Sequence, residues 1–145
     1  MTYSFECPEC GNSRPLLNEC GQCGSFEIPI LLSDTVEFNL KRGGPTGEEA
    51  LDKLTTYLRR ASEVGIKAII LIHGYGSSGE GGAIKTAVLR QLQFLSHQGR
   101  VKAIIPGEEF EGRSNRGRQL LRRFPFLVNH RDLNRANPGV TLVIL

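Results

Sequence analysis

The sequence predicts a mixed α+β / α/β body, a two-layer β-α-β-α-β-β sandwich on a four-stranded mixed sheet, preceded by a small cysteine-bearing unit. Three observations carry this. All four cysteines fall between residues 7 and 23. Two amphipathic stretches of helical period alternate with short apolar runs of strand length, the pattern of βα units. A last apolar run, Val140–Leu145, supplies a fourth strand. The 145 residues suffice for one ordinary domain or for a small domain plus a tiny one. The expected boundaries are 1–35 and 36–145.

The cysteines form two knuckles, Cys7-Pro-Glu-Cys10-Gly and Cys20-Gly-Gln-Cys23-Gly. Glycine after each pair lets the turn tighten, so that backbone N–H groups can point at the thiolates. Four sulfurs at this spacing suit one Zn²⁺ in a closed, structural site. A segment this short buries too little surface to fold alone, and metal binding supplies the missing free energy. Two disulfides and a rubredoxin-like iron are the other readings. Disulfides fit poorly with a chain that has no signal-like start and is expected in the cytoplasm. Tyr3–Glu6, Arg14–Glu19 and Phe26–Leu32 read as the short strands of this unit.

Next, Val36–Leu40 alternates like a strand, and Thr46-Gly-Glu-Glu49 is a capping box. It opens a helix with Ala50, Leu51, Leu54, Leu58 and Ala61 on one face and Gly65 as C-cap. Ile66–Ile72 reads as a central strand. A glycine-rich turn, His73–Gly82, leads into a second helix, Ala83–His97, which Gly99 ends. Val101–Ile105 is the third strand. Residues 106–138 read as polar and irregular, with one helical turn near Gln119–Arg123. The final strand is expected to run antiparallel. No apolar run approaches the ~20 residues that span a bilayer, so no membrane partner is expected.

The glycine-rich turn places Gly74, Gly76, Ser77 and Ser78 where backbone N–H groups and a helix N-terminus converge, with Lys85 in the first turn. That combination suits a phosphate. The plain alternative is a βα turn that needs glycine only to close. Three sharper matches fail. Gly74-x-Gly76-x-x-Gly79 fits a dinucleotide fingerprint, but the following strand carries Lys102 rather than an acid. Gly79–Thr86 lacks the glycine directly before lysine that a P-loop needs. Leu71-Ile-His-Gly-Tyr-Gly looks like a hydrolase oxyanion segment, yet no G-x-S-x-G elbow follows.

Charge is divided unevenly. Residues 1–35 hold one basic and five acidic residues, and 36–145 hold 17 basic and 10 acidic. Seven arginines lie between Arg113 and Arg135 (Arg113, Arg116, Arg118, Arg122, Arg123, Arg131 and Arg135), with Asp132 the only acid there. Phe124 and Phe126 interleave with them. Arginine grips phosphate through a planar fork and aromatic rings stack on bases, so this stretch reads as a nucleic-acid arm. It also reads as a loop anchored by Leu120, Leu121, Phe124 and Leu127, and both readings can hold together.

Several of these segments carry a resemblance. They are the opening strand, Glu48-Glu-Ala-Leu-x-x-Leu54, Ile70-Leu-Ile-His-Gly-Tyr-Gly76, the glycine-led second helix, Val101-Lys-Ala and Asn137-Pro-Gly-Val-Thr-Leu-Val-Ile-Leu145. Residues 36–145 resemble an Smr (small MutS-related) domain. The resemblance implies a two-layer α/β sandwich like the C-terminal domain of a bacterial translation initiation factor. It also implies DNA or RNA binding and, in several members, endonuclease activity, including cleavage of mRNA on stalled ribosomes. The family's H-G-x-G motif is matched by His73, Gly74 and Gly76. Its L-D-L-H motif is replaced by Phe38-Asn39-Leu40-Lys41.

Asn39 cannot orient an imidazolium as a carboxylate does, and Lys41 is a poor base but a useful phosphate contact. His73 is the candidate proton-transfer residue, with His130 and Asp132 as its candidate partners; its plain role is a hydrogen-bonded turn histidine. Two functional readings stay open. One is a metal-independent endonuclease on RNA or DNA, with phosphates held by the glycine turn, Lys41, Lys85 and the late arginines. The other is a non-catalytic adaptor that grips nucleic acid while the zinc ribbon docks a protein or the ribosome. A third, weaker reading is a binder of a small phosphorylated metabolite.

Overall fold

The computed structural model describes residues 5–33, 35–42, 46–74 and 81–145. Its elements run β1 (Phe5–Glu6), β2 (Ile30–Leu31), β3 (Thr35–Asn39), α1 (Gly47–Val64), β4 (Ala68–Ile72), α2 (Gly81–His97), β5 (Ala103–Pro106), α3 (Asn115–Arg123) and β6 (Val140–Ile144). Single 3₁₀ segments, Gly107–Glu109 and Pro125–Asn129, flank α3. Among the described residues no helix is long and apolar enough to cross a membrane.

The helix caps form as their residues predict. Thr46 accepts the Glu49 amide and the Glu49 carboxylate accepts the Thr46 amide. Gly65 closes α1 in the left-handed conformation at φ 91°. α1 and α2 pack on one face of the sheet. Leu54, Leu58, Val88, Leu92 and Leu95 meet Val36, Ile69, Leu71 and Val143 there. Phe38 of β3 stacks on Tyr57 of α1, ring centroids 3.8 Å apart.

The four-stranded sheet has the order β3-β4-β6-β5. β3 and β4 are parallel, and β6 runs antiparallel to both β4 and β5, as expected of the last strand. Its central position is the less expected feature. All five residues of β6 are buried, because both faces of the sheet are covered where it lies. β6 separates β4 from β5, which run parallel to each other.

The second face is closed by the stretch read as irregular. Phe110, Leu120, Phe124 and Leu127 bury against Ala68, Ile70, Ile105 and Leu142. α3 is nine residues long rather than one turn, and Ser114 caps it by accepting the Gly117 amide. The two-layer body therefore carries a partial third layer.

In the cysteine-bearing segment, β1 and β2 pair antiparallel. The strand expected over Arg14–Glu19 does not form; only an isolated bridge, Glu6 to Ser13, precedes it. Arg14 turns inward instead and is 1% exposed. Its guanidinium donates to the backbone carbonyls of Pro15, Asn18, Ser25 and Glu27. These bonds tie the chain between the knuckles to the segment that follows the second, and they need a curved chain, with Asn18 at φ 68°. Phe5 and Leu16 join the same buried cluster as α1 and α2, so the segment packs on the body.

Candidate functional site

The four cysteine sulfurs lie within 4.8 Å of one another. Cys7 Sγ is 3.6 Å from Cys23 Sγ, and Cys10 Sγ is 3.6 Å from Cys20 Sγ. A tetrahedral zinc with bonds near 2.3 Å sets its sulfurs about 3.8 Å apart, so the set fits one such ion. None of the four is in a disulfide. Backbone amides at Cys23 and Gln22 bring the Cys20 thiol down to about 6, and that at Cys10 lowers Cys7. The Ser25 amide favours the Cys23 thiolate, but burial and the three other thiols outweigh it and hold Cys23 up to about 12. Without a cation the four sulfurs cannot all ionise; a divalent ion removes that conflict.

The second site lies where the parallel strands β3 and β4 end. His73 follows β4 and is fully buried. Its backbone amide and that of Gly74 both donate to Gly139 O, at 2.9 and 3.0 Å. Its Nδ1 is 2.6 Å from Gly74 O, and its Nε2 is 2.8 Å from Thr141 Oγ1. A carbonyl only accepts, so Nδ1 carries the proton and Nε2 accepts from the threonine hydroxyl. Burial, followed by the neighbouring Lys85 and Lys41, holds the imidazole below its usual value against the Gly74 bond, so the ring is neutral.

The lysines expected here are in place. A Cβ at Gly74, whose φ is 75°, would lie 3.0 Å from Lys41 Cδ and 3.3 Å from its Nζ. The positive φ calls for glycine at this position, and the flexible Lys41 side chain crosses it. Lys41 is exposed, and its amide donates to Asn39 Oδ1 at 2.8 Å. Asn39 thus closes the turn after β3 rather than addressing an imidazole. Lys85 donates to Pro138 O at 2.8 Å and lies 3.8 Å from Glu108. Gly76, Ser77 and Ser78 lie outside the described residues.

His130 and Asp132 do not meet the His73 ring. His130 Nε2 is 2.9 Å from Glu37 Oε2, and Arg131 donates to the other oxygen of Glu37. Asp132 accepts from Asn137 Nδ2, and Asn137 Oδ1 accepts the Gly139 amide. Asp132 is therefore linked toward His73 through Asn137 and the Gly139 backbone. The sequence reading missed Thr141, Glu37 and Asn137 in these roles. The available signal was Thr141, a lone threonine inside an otherwise apolar strand, where a buried polar group needs a partner.

The arginines divide into two sets. Arg116 donates to Ile104 O at 2.9 Å and faces Glu109 at 3.7 Å. Arg131 is tied to Glu37. Arg118 donates to Asn115, and Arg123 lies over the Phe124 ring, 5.1 Å from its centroid. Among the described residues, Arg113 and Arg122 have no protein partner. Glu108 and Glu109 stand between Lys85 and Arg116, so acids separate the sheet-end lysines from the α3 arginines.

The Smr domain family matches residues 43–117, just over half of the chain. No curated protein and no solved structure matches it.

Proposed function

Since this chain belongs to the Smr domain family, we propose that it binds nucleic acid through α3 and the Lys41 side of the sheet end, without cutting the strand it holds. The observation that carries this reading is the outer face of α3. Its four charged residues, Arg116, Arg118, Arg122 and Arg123, are all arginine and all exposed, while Gly117 and Leu120 are buried. Guanidinium groups spread over the outer face of a helix whose underside is anchored by apolar packing suit a phosphate backbone. The exposed Phe126 adds a stacking face, whereas Phe124 is buried in the core beneath Arg123.

The non-cleaving half rests on His73. A general base needs a free nitrogen within reach of the proton it takes. Both ring nitrogens here are bonded inside the protein, and Asn39 and Lys41 stand where the family motif has Asp and His. In this reading His73 holds the sheet end in shape and Lys41 supplies charge. Cys7, Cys10, Cys20 and Cys23 hold Zn²⁺ as a structural ion that ties the two knuckles. Four free thiols serving as metal ligands support a reducing, cytoplasmic setting.

Fluorescence anisotropy on single-stranded RNA, duplex RNA and duplex DNA, with salt titrations, tests binding. The expected plot of log K against log salt falls steeply. Its slope should shrink by about 0.7–0.9 for each phosphate contact removed in Arg122→Ala/Arg123→Ala. Absent or salt-insensitive binding would refute the proposal. Wild-type cleavage that disappears in His73→Ala would refute its non-cleaving half.

A further inference from the structure

The segment 26–32 has an unusual surface. Phe26, Ile28, Ile30 and Leu32 are 74%, 54%, 48% and 55% exposed. Pro29 is buried and Leu31, which joins the main core, is half-buried. The alternation sets one apolar row against the body and the other toward solvent. Four large apolar side chains in a row exceed the scattered exposure of an ordinary surface and mark an interaction site. β2 lies within this row and is an edge strand, paired only with β1 in a two-stranded sheet. Among the described residues no strand pairs with its other edge, which is the edge an added strand would take.

Charge selects the occupant. Among residues 5–33 the only basic side chain is Arg14, which is buried against four carbonyls, whereas Glu6, Glu9, Glu19 and Glu27 are at least partly exposed. Phosphate would be repelled here, so this face does not suit nucleic acid. Glu9 and Glu27 line a groove of about 550 Å³ together with Phe26, Ile28 and Arg60 of α1, which is paired with Glu63.

We infer that this edge docks an extended segment of a partner protein in which apolar and cationic side chains alternate. Strand addition to β2 satisfies that backbone edge. The apolar side chains of the added strand extend the row of Ile28, Ile30 and Leu32. Its cations reach Glu9 and Glu27 at the groove.

The test uses the full chain, with zinc supplied, and a fluorescein-labelled decapeptide of alternating Lys and Val, followed by anisotropy. Saturable binding is expected. Phe26→Ser/Ile28→Ser and, separately, Glu9→Lys/Glu27→Lys should each weaken it at least tenfold, and a Glu-Val decapeptide should not bind. Zinc stoichiometry monitors folding, and Leu32→Ser repeats the measurement should the apolar pair lose zinc. No Lys-Val binding, equal binding of the Glu-Val peptide, or indifference to the apolar substitutions would overturn the inference. So would dimerisation in sedimentation that Phe26→Ser/Ile28→Ser abolishes, which would make a second copy the occupant. Loss of RNA affinity in those variants would overturn it by making the ligand RNA.

Discussion

Replacing His73 by alanine separates a structural imidazole from a chemical one. The substitution leaves Gly74 O and Thr141 Oγ1 without the partners they have at 2.6 and 2.8 Å. A buried polar group stripped of its partner costs about 1–3 kcal/mol, and some of that is recovered if water fills the space. We expect a loss of about 3 kcal/mol, a large share of the 5–15 kcal/mol that holds a typical domain. For a chain of this size that is a fall in melting temperature of roughly 6–12 °C. Thr141→Val, which keeps the shape but removes the hydroxyl donor, should cost about 1–2 kcal/mol. The two losses should be less than additive in the double variant, because both report one contact.

The pH dependence has a definite sign. Burial lowers the folded ring below the ordinary value of 6.5. Below pH 6.5 the unfolded chain binds a proton that the folded chain does not, so stability falls as pH drops from 6.5 toward the folded value. His73→Ala should flatten that part of the curve. Urea melts at a series of pH values supply both readouts. A His73→Ala variant within about 0.5 kcal/mol of wild type, or one that keeps the same acid slope, would refute the assignment.

Three further predictions follow from the packing. Arg14→Lys keeps the charge but loses the fork that reaches four carbonyls; it should cost about 2–4 kcal/mol and speed zinc transfer to a competing chelator. Gly117→Ala should raise helix propensity by about 1 kcal/mol, yet its Cβ would lie 1.7 Å from Glu111 O. The clash should win, giving a net loss above ~2 kcal/mol and weaker nucleic-acid binding as α3 shifts; an unchanged melt would contradict the packing. Removing the metal should lower the melting temperature of the whole chain as well as unfolding the cysteine segment, because Phe5 and Leu16 are part of the main core. Calorimetry with and without chelator checks this, and an unaltered main transition would count against it.

Much of the architecture was legible because its signals are local. Periodicity located α1, α2 and the four strands of the main sheet, with end shifts of one or two residues in most of them. The Thr46–Glu49 box and Gly65 marked the ends of α1. α3 was underestimated because four arginines and a glycine hide its single buried stripe. The extended reading of residues 14–19 failed because a guanidinium turned inward to bind carbonyls leaves no periodic trace.

From the sequence alone came the four-cysteine cluster, the βα order and the arginine cluster. Each depends on neighbours a few residues apart. Tertiary structure alone decided that His73 is sealed against Thr141, 68 residues away, that β6 lies between β4 and β5, and that His130 serves Glu37. Pairing across such distances depends on which faces are buried together. Residue type states what a side chain can bond, and only the packed chain selects its partner.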